Sequence, residues 1–168
     1  MTNQEMMVKT INYRPIGIIH SPFKSRTGTP IQSIGGIGVK AEVEISPEFI
    51  EGLADLNGFS HIILLYHFHL SKAYKLKVKP FLDHTVHGVF ATRAPARPNP
   101  IGISVVRLLS IDHQTLYIQD MDIVDQTPLL DIKPFVPHFD VRQVQSIGWL
   151  ESKVGNAENL TDDGRFAE

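Results

Sequence analysis

Only one stretch of this sequence carries a helical period, and that scarcity of helix constrains the fold more than any other feature. Six segments are short and rich in Ile, Val and aromatic residues: 14–20, 37–45, 60–70, 87–93, 101–111 and 115–124. Gly, Pro, Asn and Asp punctuate them, which is the pattern of strands separated by turns. The exception is 46–56, SPEFIEGLADL, where Ser46 can cap and Pro47 suits the first helical position. Parallel strands need a long crossover, usually a helix, and the sequence offers none. The expected fold is therefore mainly β: a small antiparallel β-barrel of about seven strands with one or two short helices. Closure removes the exposed strand edges that an open sheet would leave.

At 168 residues and 42% hydrophobic content the chain can fill one core and not comfortably two. The expected layout is a flexible arm over 1–12, a barrel domain over 13–150 and a frayed acidic tail over 151–168. Sixteen Lys and Arg against 18 Asp and Glu give a formal net charge of -2, so no global positive field advertises a polyanionic partner. A nucleic-acid site would have to be a local patch. The one conspicuous basic run is Lys72, Lys75, Lys77 and Lys79 with Tyr74 interleaved, a set that can meet phosphates and stack on a base, or equally form a solvated face. The absence of cysteine excludes disulfides, zinc–thiolate sites and thiol nucleophiles. No apolar run approaches the roughly 18 residues of a membrane helix. The expectation is a soluble, cytoplasmic protein.

Three places could carry chemistry. The first is 91–104, ATRAPARPNPIGIS. Pro95, Pro98 and Pro100 fix φ and remove three backbone donors, so the segment is a rigid connection and not a central strand. It presents Arg93, Arg97 and Asn99, a set suited to a carboxylate, a phosphate or a base edge. A stiff barrel corner with solvated arginines explains it as well, and the sequence leaves both readings open. The second is 122–135, where a strand runs into a turn at Asp125, Gln126, Thr127 and Pro128. Leu130 and Ile132 then alternate with Asp131 and Lys133. Acids and a lysine gather there, as they also would in an ordinary Asx or Thr turn leading into an edge strand. The third is His67 and His69, which share a strand face and with Asp83 could imitate a two-histidine, one-carboxylate triad. That pattern is short and permissive, and neutral histidines are common in half-buried strands, so no metal site is assigned.

SPFK at 21–24, GFSHIILLYHFH at 58–69, GVFATRxxxRPNPIGIS at 88–104 and DxxDxTPLLDIKPF at 122–135 occur together, in this order. The chain thereby resembles the TsaA-like, or TrmO, family over about residues 13–137. The resemblance implies an antiparallel barrel methyltransferase, a homodimer, that uses S-adenosyl-L-methionine to methylate N6 of threonylcarbamoyladenosine beside the anticodon of tRNA. No GxGxxG follows a strand, in keeping with a site that is not of the doubly wound dinucleotide type. Bacterial members commonly continue into a further C-terminal domain.

Carried over residue by residue, the resemblance implies that Pro30, Gln32, Ser33 and Ile34 border the methyl donor. His69, Arg93, Arg97, Ile103, Ser104, Thr127, Pro128 and Ile132 match further positions of the family's motifs. Phe68 joins them as an aromatic wall for the sulfonium, and Asn99 as a reader of a polar edge. Asp125 or Asp131 is expected to orient or deprotonate the acceptor nitrogen, with Lys133 setting the local potential. Two positions depart from the family: Gln126 stands where glycine is usual, and Leu70 where bacterial relatives often carry a polar residue. A left-handed turn there would strain Gln126. The alternative to a tRNA methyltransferase is a barrel protein that binds S-adenosyl-L-methionine as a sensor or acts on a non-tRNA substrate.

Overall fold

The computed structural model describes residues 10–166, so residues 1–9 of the expected N-terminal arm lie outside the described residues. Strands form at β1 (Gly17–His20), at β2 (Lys40–Ile45), where apolar and polar residues alternate, and at β3 (His61–His67), an Ile- and Leu-rich run. Two short ones follow, β4 (Lys77–Val78) and β5 (His87–Gly88), and then β6 (Ile101–Asp112), β7 (Thr115–Gln119) and β8 (Thr127–Pro134). Six of them close a barrel in the order β1-β2-β7-β6-β3-β8, and β4 and β5 make a separate ribbon. Every pairing is antiparallel.

The barrel therefore has six strands and not about seven. Segment 87–93 contributes only His87 and Gly88 to a strand before Val89–Ala91 coils into a 3₁₀ turn. The run after the Asp125–Pro128 turn is a barrel strand flanked on both sides, by β1 and by β3, and not an edge. The expected helix over 46–56 forms as 3₁₀ turns, Pro47–Leu53 and then Leu56–Gly58, and Ser46 makes no side-chain cap bond. Eleven residues containing Gly52 are too few to sustain an α-helix on propensity alone. Packing of Phe49, Leu53 and Leu56 on the core holds them instead.

The core follows the two-residue period. Ala41, Val43 and Ile45 of β2 face inward, as do Ile62, Leu64 and Tyr66 of β3 and Val106 and Leu108 of β6. The odd-numbered positions of β3 face out, which puts His67 on the outer side, and the strand ends there, so His67 and His69 do not share a strand face as expected.

The C-terminal segment is docked, not frayed. A 3₁₀ turn over Val154–Asn159 packs on the Ser33–Gly36 turn with Ala157 buried, and Thr161 bridges Pro30. Arg165 lies 4.9 Å over the Phe81 ring, Phe166 meets that ring edge-on at 5.2 Å, and Lys153 pairs with Asp83 at 2.5 Å. The apolar residues responsible, Ala157 and Phe166, are too few and too far apart to show a period, so the acidic composition hid them. Asp83 also accepts from His87 at 2.9 Å, and Trp149 stacks on the His87 ring at 4.6 Å. Lys153, then His87, hold the Asp83 carboxyl well below the usual carboxylate range. This clamp accordingly stabilises the fold above the ordinary aspartate pKa and is lost as pH falls below it.

Candidate functional site

Three prolines leave the 91–104 turn with more carbonyls than donors, and donors from outside its backbone make up the difference. Arg97 Nη1 donates to the carbonyls of Val89, Thr92 and Ala94 at 3.3, 2.8 and 3.3 Å. Trp149 Nε1 donates to Ala91 O at 2.8 Å, Ser71 Oγ to Pro95 O at 3.0 Å, and the Phe68 N–H to Pro100 O at 2.7 Å. The Arg97 guanidinium is thus engaged within the turn. Arg93 is exposed at its edge and reaches Gln32 Oε1 at 2.9 Å.

A second wall comes from 121–127. Met121 and Ile123 bury their side chains in the core, which turns the alternate residues, Asp122 and Val124, toward open space. Ser104 Oγ donates to Asp122 Oδ1 at 2.6 Å, and Tyr66 Oη lies 3.1 Å from Ser104 Oγ. Burial pushes the Asp122 carboxyl up to about 6 against the opposing bond from Ser104, and burial likewise pushes the Tyr66 phenol up. The third wall is the 26–34 loop with the end of β3. His69 Nδ1 lies 3.2 Å from Thr127 Oγ1, and its pKa is lowered by burial, then by His67 and Arg26. Arg26 donates to Phe166 O through Nη1, while its Nη2 is buried with no hydrogen-bond partner among the described residues.

These walls enclose a cavity of about 790 Å³, within the 300–1,000 Å³ typical of small-molecule sites. Of the residues expected at the site, Pro30, Gln32, Ser33 and Ile34 line it from the early loop, and Phe68 and His69 from the end of β3. Arg93, Arg97, Ile103 and Thr127 line it as well. Ser104 stands behind the lining and acts through Asp122. Asn99, Pro128 and Ile132 lie outside it.

The three expected catalytic residues also lie outside the cavity. Asp125 accepts from the Ser21 N–H at 2.9 Å and from Lys24 Nζ at 2.7 Å, which holds its carboxyl below the usual range. It builds the turn. Asp131 and Lys133 pair with each other at 2.7 Å on β8. A bulge in the β3–β8 ladder between Leu65 and Tyr66 separates them in register from Thr127 and Leu129. Gln126 has φ of 62°, so the left-handed turn is kept without glycine, and its side chain meets His20 Nδ1 at 3.0 Å. A non-glycine residue there costs about 1 kcal/mol. Among the described residues no three His, Cys, Asp or Glu groups could hold a metal, and Asp83 belongs to the clamp.

Asp122 and Arg26 were missed as site residues. Asp122 sits in the alternating run Asp120-Met121-Asp122-Ile123, which reads as a solvated strand face, and only Ser104 across the barrel reveals its role. Arg26 lies in a loop with no periodic signal. Trp149, Leu150, Val154 and Phe166 of the docked C-terminal segment also line the cavity.

A family model described as the tRNA-methyltransferase O N-terminal domain matches residues 18–141. A protein of Pyrococcus abyssi named a probable S-adenosyl-L-methionine-binding protein is 60% identical, over 93% of this chain and 85% of its own. A mouse protein named tRNA (adenine(37)-N6)-methyltransferase is 36% identical over 79% of this chain, which spans 32% of that relative. The crystal structure of TrmO from Pseudomonas aeruginosa superposes with a TM-score of 0.70 at 36% identity, covering 84% of this chain and 63% of that one. The six-stranded antiparallel barrel and the sequence match agree, and the chain belongs to the tRNA-methyltransferase O family.

Proposed function

We propose that this protein is an S-adenosyl-L-methionine-dependent tRNA methyltransferase acting on N6 of threonylcarbamoyladenosine next to the anticodon. The observation that carries the reading is the donor set of the cavity. Arg26 Nη2 is a buried cationic donor with no hydrogen-bond partner among the described residues, which suits the carboxylate of a methionine moiety. Tyr66, Phe68, Phe81 and Phe90 offer faces for an adenine and for a sulfonium. Asp122 supplies an acceptor at the cavity wall. S-adenosyl-L-methionine supplies an electrophilic methyl group, so the residues around it have mainly to align donor and acceptor and keep water out. Relatives named for this ligand or for this reaction support the same reading.

The tRNA would be held along Lys72, Lys75, Lys77 and Lys79. These are exposed and lead through β4 to Pro80, Phe81 and Leu82 at the cavity. A cytoplasmic location follows from a tRNA substrate, and among the described residues no helix is long and apolar enough to cross a membrane. Incubating the protein with labelled S-adenosyl-L-methionine and hypomodified tRNA should yield a methylated threonylcarbamoyladenosine nucleoside. Saturable binding of the methyl donor with no such product would leave a binding protein or sensor and would sink the tRNA reading.

We further propose that it works as a homodimer. Ile63 and Leu65 of β3 and Ile101 and Ile103 of β6 face outward, and Ile101 and Ile103 are 40% and 49% exposed beside the cavity. An apolar sheet face of this kind calls for a cover, which a second copy would supply, and Asp131 and Lys133 of β8, paired with Leu65 and Ile63, border it. Light scattering should give twice the chain mass, and Ile103→Glu should halve it. A monomeric mass for the unaltered chain would rule the dimer out.

A further inference from the structure

We propose that Asp122 is the proton acceptor for the methyl-accepting nitrogen, a role that rests on the methyltransferase reading above. Two aspartates line the cavity: Asp162 accepts from the Gly164 N–H at 2.7 Å and sits beside Arg26, which leaves Asp122, whereas Asp125 is tied to Lys24 and Ser21 and Asp131 to Lys133. The position is built. Segment 121–125 is anchored by Met121 N–H to Gly36 O at 3.2 Å, by Ser21 Oγ to Ile123 O at 2.7 Å and by Asp125 N–H to Phe23 O at 2.7 Å. Ser104 Oγ then occupies Oδ1 at 2.6 Å, and the residue's own backbone N–H also favours the ionised carboxylate. Tyr66 Oη, 3.1 Å from Ser104 Oγ, completes a file from the barrel interior to the cavity.

The acceptor nitrogen belongs to a urea-like group whose lone pair is delocalised, so it is a poor nucleophile until its proton is leaving. As the N–C bond to the methyl carbon forms, the methyl–sulfur bond breaks and its electron pair stays on sulfur, neutralising the sulfonium. The N–H proton passes to Asp122, which ends the step as a neutral carboxylic acid. Burial favours that neutral form, and a carboxyl raised to about 6 remains mostly ionised, and so able to accept, at neutral pH. The charged or ionisable groups facing Asp122 are Tyr66 from β3 and Arg93 from the proline turn. Arg26, His69, Arg97 and Asp162 also line the cavity, with Asp162 beside Arg26.

The test compares the unaltered chain with Asp122→Asn and Ser104→Ala, using labelled S-adenosyl-L-methionine and hypomodified tRNA, both saturating, from pH 5 to pH 8. The unaltered chain should gain rate through a limb near pH 6 and then level off. Asp122→Asn should lose about 100-fold or more in kcat and lose the limb, while its calorimetric Kd for S-adenosyl-L-methionine changes by less than about threefold. Ser104→Ala should move the limb to higher pH, because Ser104 donates to the ionised carboxylate; this variant also serves if Asp122→Asn fails to fold. Retained kcat with an intact limb in Asp122→Asn, or a loss confined to Kd, would overturn the proposal and make Asp122 a binding group. No methyl transfer by the unaltered chain would overturn the methyltransferase reading, and this role with it.

Discussion

Replacing Gly102 with alanine is expected to lower the unfolding free energy by about 2–4 kcal/mol and to reduce methyl transfer by at least tenfold. Gly102 on β6 lies directly across from Tyr66 on β3. A Cβ at position 102 would stand 2.5 Å from Tyr66 Cζ and 2.9 Å from its Cδ2. The ring would have to swing toward the cavity that it lines. It is 4% exposed and packs edge-on against Phe68 at a centroid distance of 5.4 Å. Displacing it would break the Tyr66–Ser104 contact and with it the support behind Asp122. Urea unfolding measures the first effect. Adding Tyr66→Leu to the alanine variant should recover part of the stability, since the clash is with that ring, and the two changes should be non-additive. Equal stability of the alanine variant and the unaltered chain would show that the strands adjust freely.

The two arginines of the proline turn should separate cleanly. Arg97→Ala is expected to cost about 2 kcal/mol of stability, because the carbonyls of Val89, Thr92 and Ala94 lose a charged donor in a half-buried setting. One nitrogen makes all three bonds, so Arg97→Lys should recover part of the loss even though lysine lacks the guanidinium fork. Arg93→Ala should leave stability within about 0.5 kcal/mol, as exposed substitutions do, and weaken S-adenosyl-L-methionine binding roughly tenfold. Thermal unfolding and calorimetric titration of the three variants decide the matter. A large stability loss in Arg93→Ala, or none in Arg97→Ala, would reverse the assignment.

The barrel was legible because alternation is a local signal. KAEVEI in β2 declares an inner and an outer face within a few residues, while IILLY in β3 marks a strand without showing which face is inner. The rigid turn was equally plain, since proline chemistry acts on its own backbone. Part of the cavity lining was legible too, through the family resemblance, in the early loop, in His69 and in Arg93. What escaped was whatever depends on partners far along the chain. The C-terminal segment reads as an acidic tail, yet Lys153, Trp149 and Phe166 find their partners at Asp83, Ala91 and Phe81. Among four aspartates within a dozen residues, 120, 122, 125 and 131, composition and spacing do not distinguish the one that faces the cavity.

By itself, then, the sequence determined a mainly β chain, an antiparallel closed architecture and a proline-stiffened turn. Each follows from steric and hydrophobic rules acting over a few neighbouring residues. The tertiary structure alone decided which carboxylate meets the cavity, which arginine stays available to a ligand and where the C-terminal segment docks. Those outcomes depend on groups brought together by barrel closure, such as Ser104 with Asp122 across 18 positions and Lys24 with Asp125 across 101. Burial and hydrogen bonding then set the charge state of each carboxylate, and neither exists until the barrel has closed.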